Sequence, residues 1–273
     1  MGKTVAFGVV PASSASDQHA LDHLTGYLSE ALGRRVVGVQ TESYSGLVSA
    51  LERGKLQFAW MPPVLLVLAQ ERLALQPLCA AVREDRLDYK AVLFVHEGSP
   101  LRALAELKGR TVAWVDRTSA AGYLYPRLHL ASRGIDPDGH FGAELLLGSH
   151  AEVVRAVHDG RADVGATYAI QPAVGSPVQR AGFLEVPTAR PMRVIEWTPA
   201  IPNDLIVAHG LIERSLQQDF GQAMRDLCGT GVGKSLAHQL FHADDFTHYT
   251  PEMMAPLVRL VDVARGNGFL PFL

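Results

Sequence analysis

Hydroxyl residues stand before several helical stretches of this chain, and donors to an anion follow them closely. Ser43 precedes Tyr44, Ser149 precedes His150, Thr118 and Ser119 precede Ala120 and Ala121, and Ser13 and Ser14 precede the first helical stretch. The first turn of a helix presents backbone N–H groups with no intrahelical acceptor, at the positive end of the macrodipole. A compact anion can be held there by backbone amides and hydroxyls. The same caps are also how ordinary α/β proteins start their helices. A repeat singles out two of them. Moving Ser43–Phe58 forward by 106 positions without a gap lays Ser43 on Ser149, Tyr44 on His150, Gly54 on Gly160, Lys55 on Arg161 and Phe58 on Val164. Tyr44 and His150 therefore follow equivalent caps, and Ser149-His150-Ala151-Glu152 also fits the capping-box spacing.

The elements that position these residues alternate. Thr4–Val10, Arg35–Gln40, Leu56–Trp60, Thr111–Asp116, Glu144–Leu147 and Asp163–Ala166 read as strands, with helices between them at Asp17–Leu32, Ser43–Arg53, Ser119–Ser132 and Ala151–His158. Such alternation indicates α/β architecture with largely parallel sheets. From about Leu211 the pattern turns helical, with stretches at Leu211–Leu227, Gly233–Phe241 and Pro251–Arg265. The repeat predicts two similar α/β lobes joined by a two-strand hinge around a cleft. Lobe 1 is expected over residues 1–90 and 205–273, its C-terminal helices packing back on it, and lobe 2 over 91–204.

Composition narrows the function. Among 273 residues, 25 Lys and Arg against 28 Asp and Glu give a net charge of −3 with no basic block, which argues against nucleic acid as a partner. The longest apolar run, Phe58–Ala69, has twelve residues interrupted by Pro62-Pro63, too short to span a bilayer as a helix. Met1-Gly2-Lys3 leads straight into a strand, without the apolar region of a secretory signal. The protein is therefore expected to be periplasmic or membrane-associated if a signal has been removed, and cytoplasmic otherwise. Cys79 and Cys228 match no zinc or redox spacing and read as buried thiols, though a disulfide between them stays open. Gly229–Ser235 resembles a phosphate-binding loop but has Cys228 where the first glycine belongs and follows a helix. The pairs His19/His23 and His238/His242 have metal-ligand spacing but no identified third ligand, and Asp85–Asp88 reads as a solvated charged loop. No nucleophile with a general base stands out, so neither a catalytic residue nor a cofactor or metal is expected.

The stretches Tyr44-Ser45-Gly46-Leu47, Phe58-Ala59-Trp60-Met61-Pro62-Pro63, Asp88–Leu93, Asp116–Tyr123, Gly148-Ser149-His150, Asp163-Val164 and Ile201-Pro202-Asn203-Asp204 occur in an order that resembles one family. It is that of the phosphonate-binding proteins of ABC importers and their phosphite and phosphate relatives. The resemblance runs from about Thr4 to Phe241. It implies the type II periplasmic-binding fold, a small-molecule ligand (phosphonate, phosphite, phosphate or similar) and an ABC permease as partner. Tyr44, Tyr89, Ser119, His150 and Asp204 would line the ligand cleft, with Trp60, Met61, Thr118, Ala120, Ala121 and Tyr168 beside them. Asp204, acceptor-only when ionised, would face a protonated oxygen or an amine.

Two departures matter. Where the family's loop reads Ser-Thr-Ser-Gly, this chain has Ser119-Ala120-Ala121-Gly122, and a second acidic position falls at Ile170. Each hydrogen bond lost to a charged group is worth about 1.5–3 kcal/mol, so affinity for a phosphonate would fall a few hundredfold or more. The pattern thus indicates a non-catalytic solute receptor with a less polar pocket. The alternatives are a cytoplasmic ligand-sensing domain and an enzyme on the same fold, such as a menaquinone-pathway lyase.

Overall fold

Val5–Val9, five buried residues in a row, forms β1, which is flanked by two parallel strands in a mixed sheet. The structure is a computed structural model, described over residues 4–10, 15–171, 176–187 and 191–269; Ser13 and Ser14 lie outside the described residues. The first stretch continues through α1 (Ala15–Leu32), β2 (Val36–Gln40), α2 (Tyr44–Glu52), β3 (Phe58–Met61), α3 (Pro63–Ala69) and β4 (Leu75–Val82). The middle stretch holds β5 (Asp88–His96), β6 (Thr111–Trp114), α4 (Tyr125–Ser132), β7 (Ala143–Leu146), α5 (His150–His158), β8 (Val164–Ile170), β9 (Arg180–Ala181), α6 (Gly182–Glu185) and β10 (Met192–Pro202). Then follow β11 (Leu205–His209), α7 (Arg214–Asp226), α8 (Gly231–Phe241), β12 (Asp245–His248) and α9 (Pro251–Gly266).

These elements form two units. One contains the chain up to Leu87 with Pro202–Met254, and its sheet runs β12-β4-β11-β3-β1-β2. Phe58 stacks on Phe220 with ring centroids 3.9 Å apart, Phe7 lies 5.7 Å from Phe220, and the Leu21, Leu24 and Leu28 stripe of α1 joins the same core. The other unit contains Asp88–Ile201 and the chain from Ala255, and its sheet runs β10-β5-β8-β6-β7, with β9 added beside β8.

The boundaries expected at 90/91 and 204/205 fall at 87/88 and 201/202. A third crossing differs more. Residues from Ala255 onward, expected with lobe 1, group with the other unit, where Asn267 Nδ2 donates to the Ala131 carbonyl at 2.8 Å. Apolar periodicity identifies α9 as a helix but carries no record of which surface receives it.

The repeat is reproduced in backbone detail. Ser43 and Ser149 are the extended N-caps of α2 and α5, and their hydroxyls accept from the Gly46 and Glu152 N–H groups. At the far ends Gly54 and Gly160 take φ of 65° and 73°, and Lys55 and Arg161 donate to the Ala50 and Ala156 carbonyls, each at 2.9 Å. Both glycines have open space where a Cβ would stand. Only the left-handed backbone therefore opposes a side chain there, at about 1–2 kcal/mol. Gly54→Ala and Gly160→Ala should each destabilise the protein by about 1 kcal/mol, and by similar amounts, in urea unfolding.

Candidate functional site

The register of each sheet gathers the expected site residues at one end. In the first unit β1, β2 and β3 are parallel and β11 is antiparallel to β3, pairing Leu205 with Met61. Tyr44, which follows β2, Met61 at the end of β3 and Asp204 just before β11 therefore share the carboxyl end of the parallel strands. That is where open α/β sheets bind ligands. In the second unit β6, β7 and β8 are parallel and β5 is antiparallel to β8, pairing Ala91 with Tyr168. Tyr89, Thr118–Ala121, His150 and Tyr168 share the corresponding end.

Tyr44 is the half-buried first residue of α2, and Tyr89 is half-buried near the start of β5. Trp60 turns to the core side of its sheet, its ring 4.7 Å from Phe241 and 6.2 Å from Phe246. Met61 is fully buried, so it supports the site from below instead of meeting a ligand. Asp204 is not left for a ligand amine: Arg83 Nη2 donates to its Oδ2 at 2.5 Å. Arg83 also donates to the Phe241 and His242 carbonyls, both at 3.0 Å. Asn203, almost wholly buried, donates to the Ala81 and Arg86 carbonyls at 3.1 and 2.9 Å. Arg83 went unrecognised in the sequence because its partners lie more than 120 positions away. The expected charged loop begins in a tight turn. Arg83 and Arg86 exchange backbone hydrogen bonds around Glu84 and Asp85, which take φ of 51° and 57°.

The loop after β6 is more constrained than its sequence indicates. Asp116 Oδ1 accepts from the Thr118 N–H at 2.8 Å, the Thr118 hydroxyl at 2.6 Å and the Ser119 N–H at 2.9 Å. Ser119 Oγ accepts the Gly122 N–H at 3.1 Å. Thr118 and the Ser119 amide, expected to serve the ligand, are thus engaged by Asp116, while Ser119 keeps its hydroxyl proton for donation. The first-turn amides left to a ligand are those of Ala120 and Ala121. The Ala121 side chain is buried, so it contributes backbone alone. Leu124 N–H reaches back five residues to the Ser119 carbonyl at 2.9 Å, making Ala120–Leu124 a π-turn. Such turns recur at functional sites.

His150 opens α5, with its Nδ1 2.9 Å from the hydroxyl of Thr167 and its ring edge-on to Tyr168 at 5.0 Å. Burial pushes the imidazole below its ordinary value of 6.5, against the pull of the Asp116 and Glu185 carboxylates. Tyr168, expected beside the site, donates its hydroxyl proton to Glu185 Oε2, and Arg180 Nε donates to Glu185 Oε1 at 2.6 Å. Burial and this carboxylate raise the phenol well above its usual range. A carboxylate absent at Ile170 is thus present nearby, delivered by α6. Sequence reading passed over Glu185 because only the fold brings it beside Tyr168.

The remaining candidates resolve simply. Cys79 and Cys228 are free and buried, and burial pushes their thiols up to about 12 and about 11. Thr230 caps α8 by accepting the Gly233 N–H at 3.0 Å, so the loop resembling a phosphate binder is a helix start. Among the described residues no cluster of three or more His, Cys, Asp or Glu side chains could hold a metal. Nor, among them, is any helix long and apolar enough to cross a membrane.

Two α/β units, each with helix starts at the carboxyl ends of its parallel strands, correspond to the type II periplasmic-binding fold, and solved structures bear out the fold. XAC2383 from Xanthomonas citri, bound to ATP, superposes with a TM-score of 0.76 over 98% of both chains at 20% identity. PhnD1 from Prochlorococcus marinus, in complex with methylphosphonate, gives 0.65 over 95% of this chain and 97% of that one at 18% identity. The family model described as ABC transporter, phosphonate, periplasmic substrate-binding protein matches residues 7–254, and the chain belongs to that family. A phosphate-import protein of Mycolicibacterium smegmatis is 26% identical over 174 residues, 60% of this chain and 54% of that protein. The chain therefore spans about half the length of this curated relative.

Asp116→Ala should release the three donors it gathers and cost about 1–2 kcal/mol, read as a lower Tm, whereas Asp116→Asn retains the Oδ1 acceptor and most of the stability. A depressed histidine pKa means that the unfolded chain binds the proton more readily. Stability from His150 is therefore complete above 6.5 and falls as pH drops below it. In unfolding titrations between pH 8 and pH 5 at about half-unit steps, His150→Gln should lose less stability on acidification than the parent.

Proposed function

We propose that the protein is the solute receptor of an ABC importer, binding a compact phosphorus oxyanion such as a phosphonate, phosphite or phosphate without transforming it. One observation supports this most directly. The Ser119 hydroxyl, the Ala120 and Ala121 amides and the His150 ring stand together at one sheet end, at two helix starts, with no nucleophile–base pair among them. Donors fixed before the ligand arrives suit an anion that is held. Tyr44 follows the equivalent cap of the other unit, at the carboxyl end of that unit's parallel strands. Family membership supports an ABC permease as partner and a periplasmic location.

The pocket is expected to favour small ligands of single charge centre over aminophosphonates. The carboxylates at the sheet end of the second unit are already hydrogen-bonded: Asp116 to the Thr118–Ser119 turn, and Glu185 to Tyr168 and Arg180. A ligand ammonium therefore meets no uncommitted acid among these.

Isothermal titration against methylphosphonate, phosphite, phosphate, 2-aminoethylphosphonate and ATP tests the proposal. Methylphosphonate, phosphite or phosphate should bind, and phosphorus NMR should return the ligand intact. Tyr44→Ala should weaken binding at least tenfold with little change in the Tm of the unliganded protein. Ala120→Thr, which returns a hydroxyl to the first turn, should tighten it about tenfold. Absence of binding across the panel, or turnover of any ligand in it, would overturn the proposal.

A further inference from the structure

We infer that the buried hydroxyl of Thr167 fixes the tautomer of His150, so that the ring presents Nε2–H as a hydrogen-bond donor. Thr167 is a fully buried residue on β8, and its Oγ1 lies 2.9 Å from His150 Nδ1. No other hydrogen bond of this hydroxyl is found among the described residues. Gly182, the first residue of α6, closes over it: a Cβ at that position would come within 2.1 Å of Oγ1 and 3.5 Å of the His150 Cβ. The hydroxyl is thus sealed between the imidazole and a glycine that only a bare Cα allows so near.

Two arrangements are possible, and they differ in what is left over. If Nδ1 carried the proton, it would donate to Oγ1, and the hydroxyl's own proton would face packed atoms with no acceptor. An unmade buried donor is the more costly fault, because an oxygen tolerates an unfilled lone pair more readily than an N–H or O–H tolerates having no acceptor. If Nδ1 is bare, the Thr167 hydroxyl donates to it and no proton is stranded. The single proton of the neutral ring then sits on Nε2. The edge-on contact with Tyr168, at 5.0 Å and 86°, holds the ring plane.

Thr167 is therefore a positioning residue, acting through His150. Under the oxyanion-binding reading, on which this clause rests, Nε2–H recognises an acceptor-only oxygen of the ligand and disfavours an amine or protonated oxygen at that point. The opposite tautomer would reverse this preference.

Two-bond ¹H–¹⁵N correlation spectra of the unliganded protein at pH 8, with His150 identified by its loss in His150→Gln, read the tautomer directly. The parent should show a bare Nδ1 and a protonated Nε2. Thr167→Val, nearly isosteric, should shift both nitrogens toward the averaged values of mixed tautomers, and Thr167→Ser should restore the parental spectrum. A protonated Nδ1 in the parent, or an unchanged spectrum in Thr167→Val, would refute the assignment. The parental spectrum needs neither a variant nor a ligand, so it stands even if the titrations reject every oxyanion. For a ligand that binds, Thr167→Val should lower affinity about fivefold to tenfold. A tautomer shift without that loss would show that Nε2–H does not contact the ligand.

Discussion

Backbone N–H groups at the start of a helix have no partner inside it, and the disposition of those few donors governs the rest of this molecule. Each unit ends its parallel strands at helix starts, so each gathers orphan amides at one edge of its sheet. The chain satisfies some internally. Ser43 and Ser149 each take an amide of their own helix, while Asp116 and Ser119 take those of the loop after β6. What remains in the second unit is small and specific, namely the amides of Ala120 and Ala121 with the side-chain groups of Ser119 and His150. A carboxylate embedded in the loop also sets a limit. Asp116 already accepts the donors of Thr118 and the Ser119 amide, and so occupies part of the positive end of that helix start.

Much of this was legible in the sequence, and the legible part has a common cause. Caps, left-handed glycines and the strand–helix alternation are encoded within a few residues of where they act. The 106-residue repeat therefore aligns Ser43 with Ser149 and Gly54 with Gly160, and the structure gives each pair the same backbone role. What went unread depends on residues distant in the chain. Asp204 reads as an acceptor awaiting a ligand until Arg83 is seen beside it, and nothing near Tyr168 in the sequence marks Glu185 as the acceptor of its hydroxyl. Helical periodicity over Ser119–Ser132 is real, but it conceals that the first turn winds five residues to a hydrogen bond, which redirects the amides that matter most.

The departures from the family's usual loop also look different with side chains in place. Ala121 is buried, so a hydroxyl there would need a partner within the protein before it could serve a ligand. Ala120 is half-buried, so a hydroxyl at that position would keep access to solvent. Ile170 lacks a carboxylate, yet Glu185 stands near that point, paired with Arg180 and hydrogen-bonded by the Tyr168 hydroxyl.

The order of strands in the first sheet bears on how the chain assembles during its synthesis. β11 lies between β3 and β4, although it follows them by more than 120 residues and is separated from them by most of the other unit. As the polypeptide leaves the ribosome, its opening segment holds two sheet fragments with an unfilled slot, and the missing ribbon arrives only after the contiguous middle segment has emerged. That later segment is captured by backbone ladders on both flanks and by the Arg83 guanidinium, which clasps Asp204 together with the end of α8. Chains truncated before position 205 would expose those open strand edges, making them natural clients for chaperones and prone to aggregate.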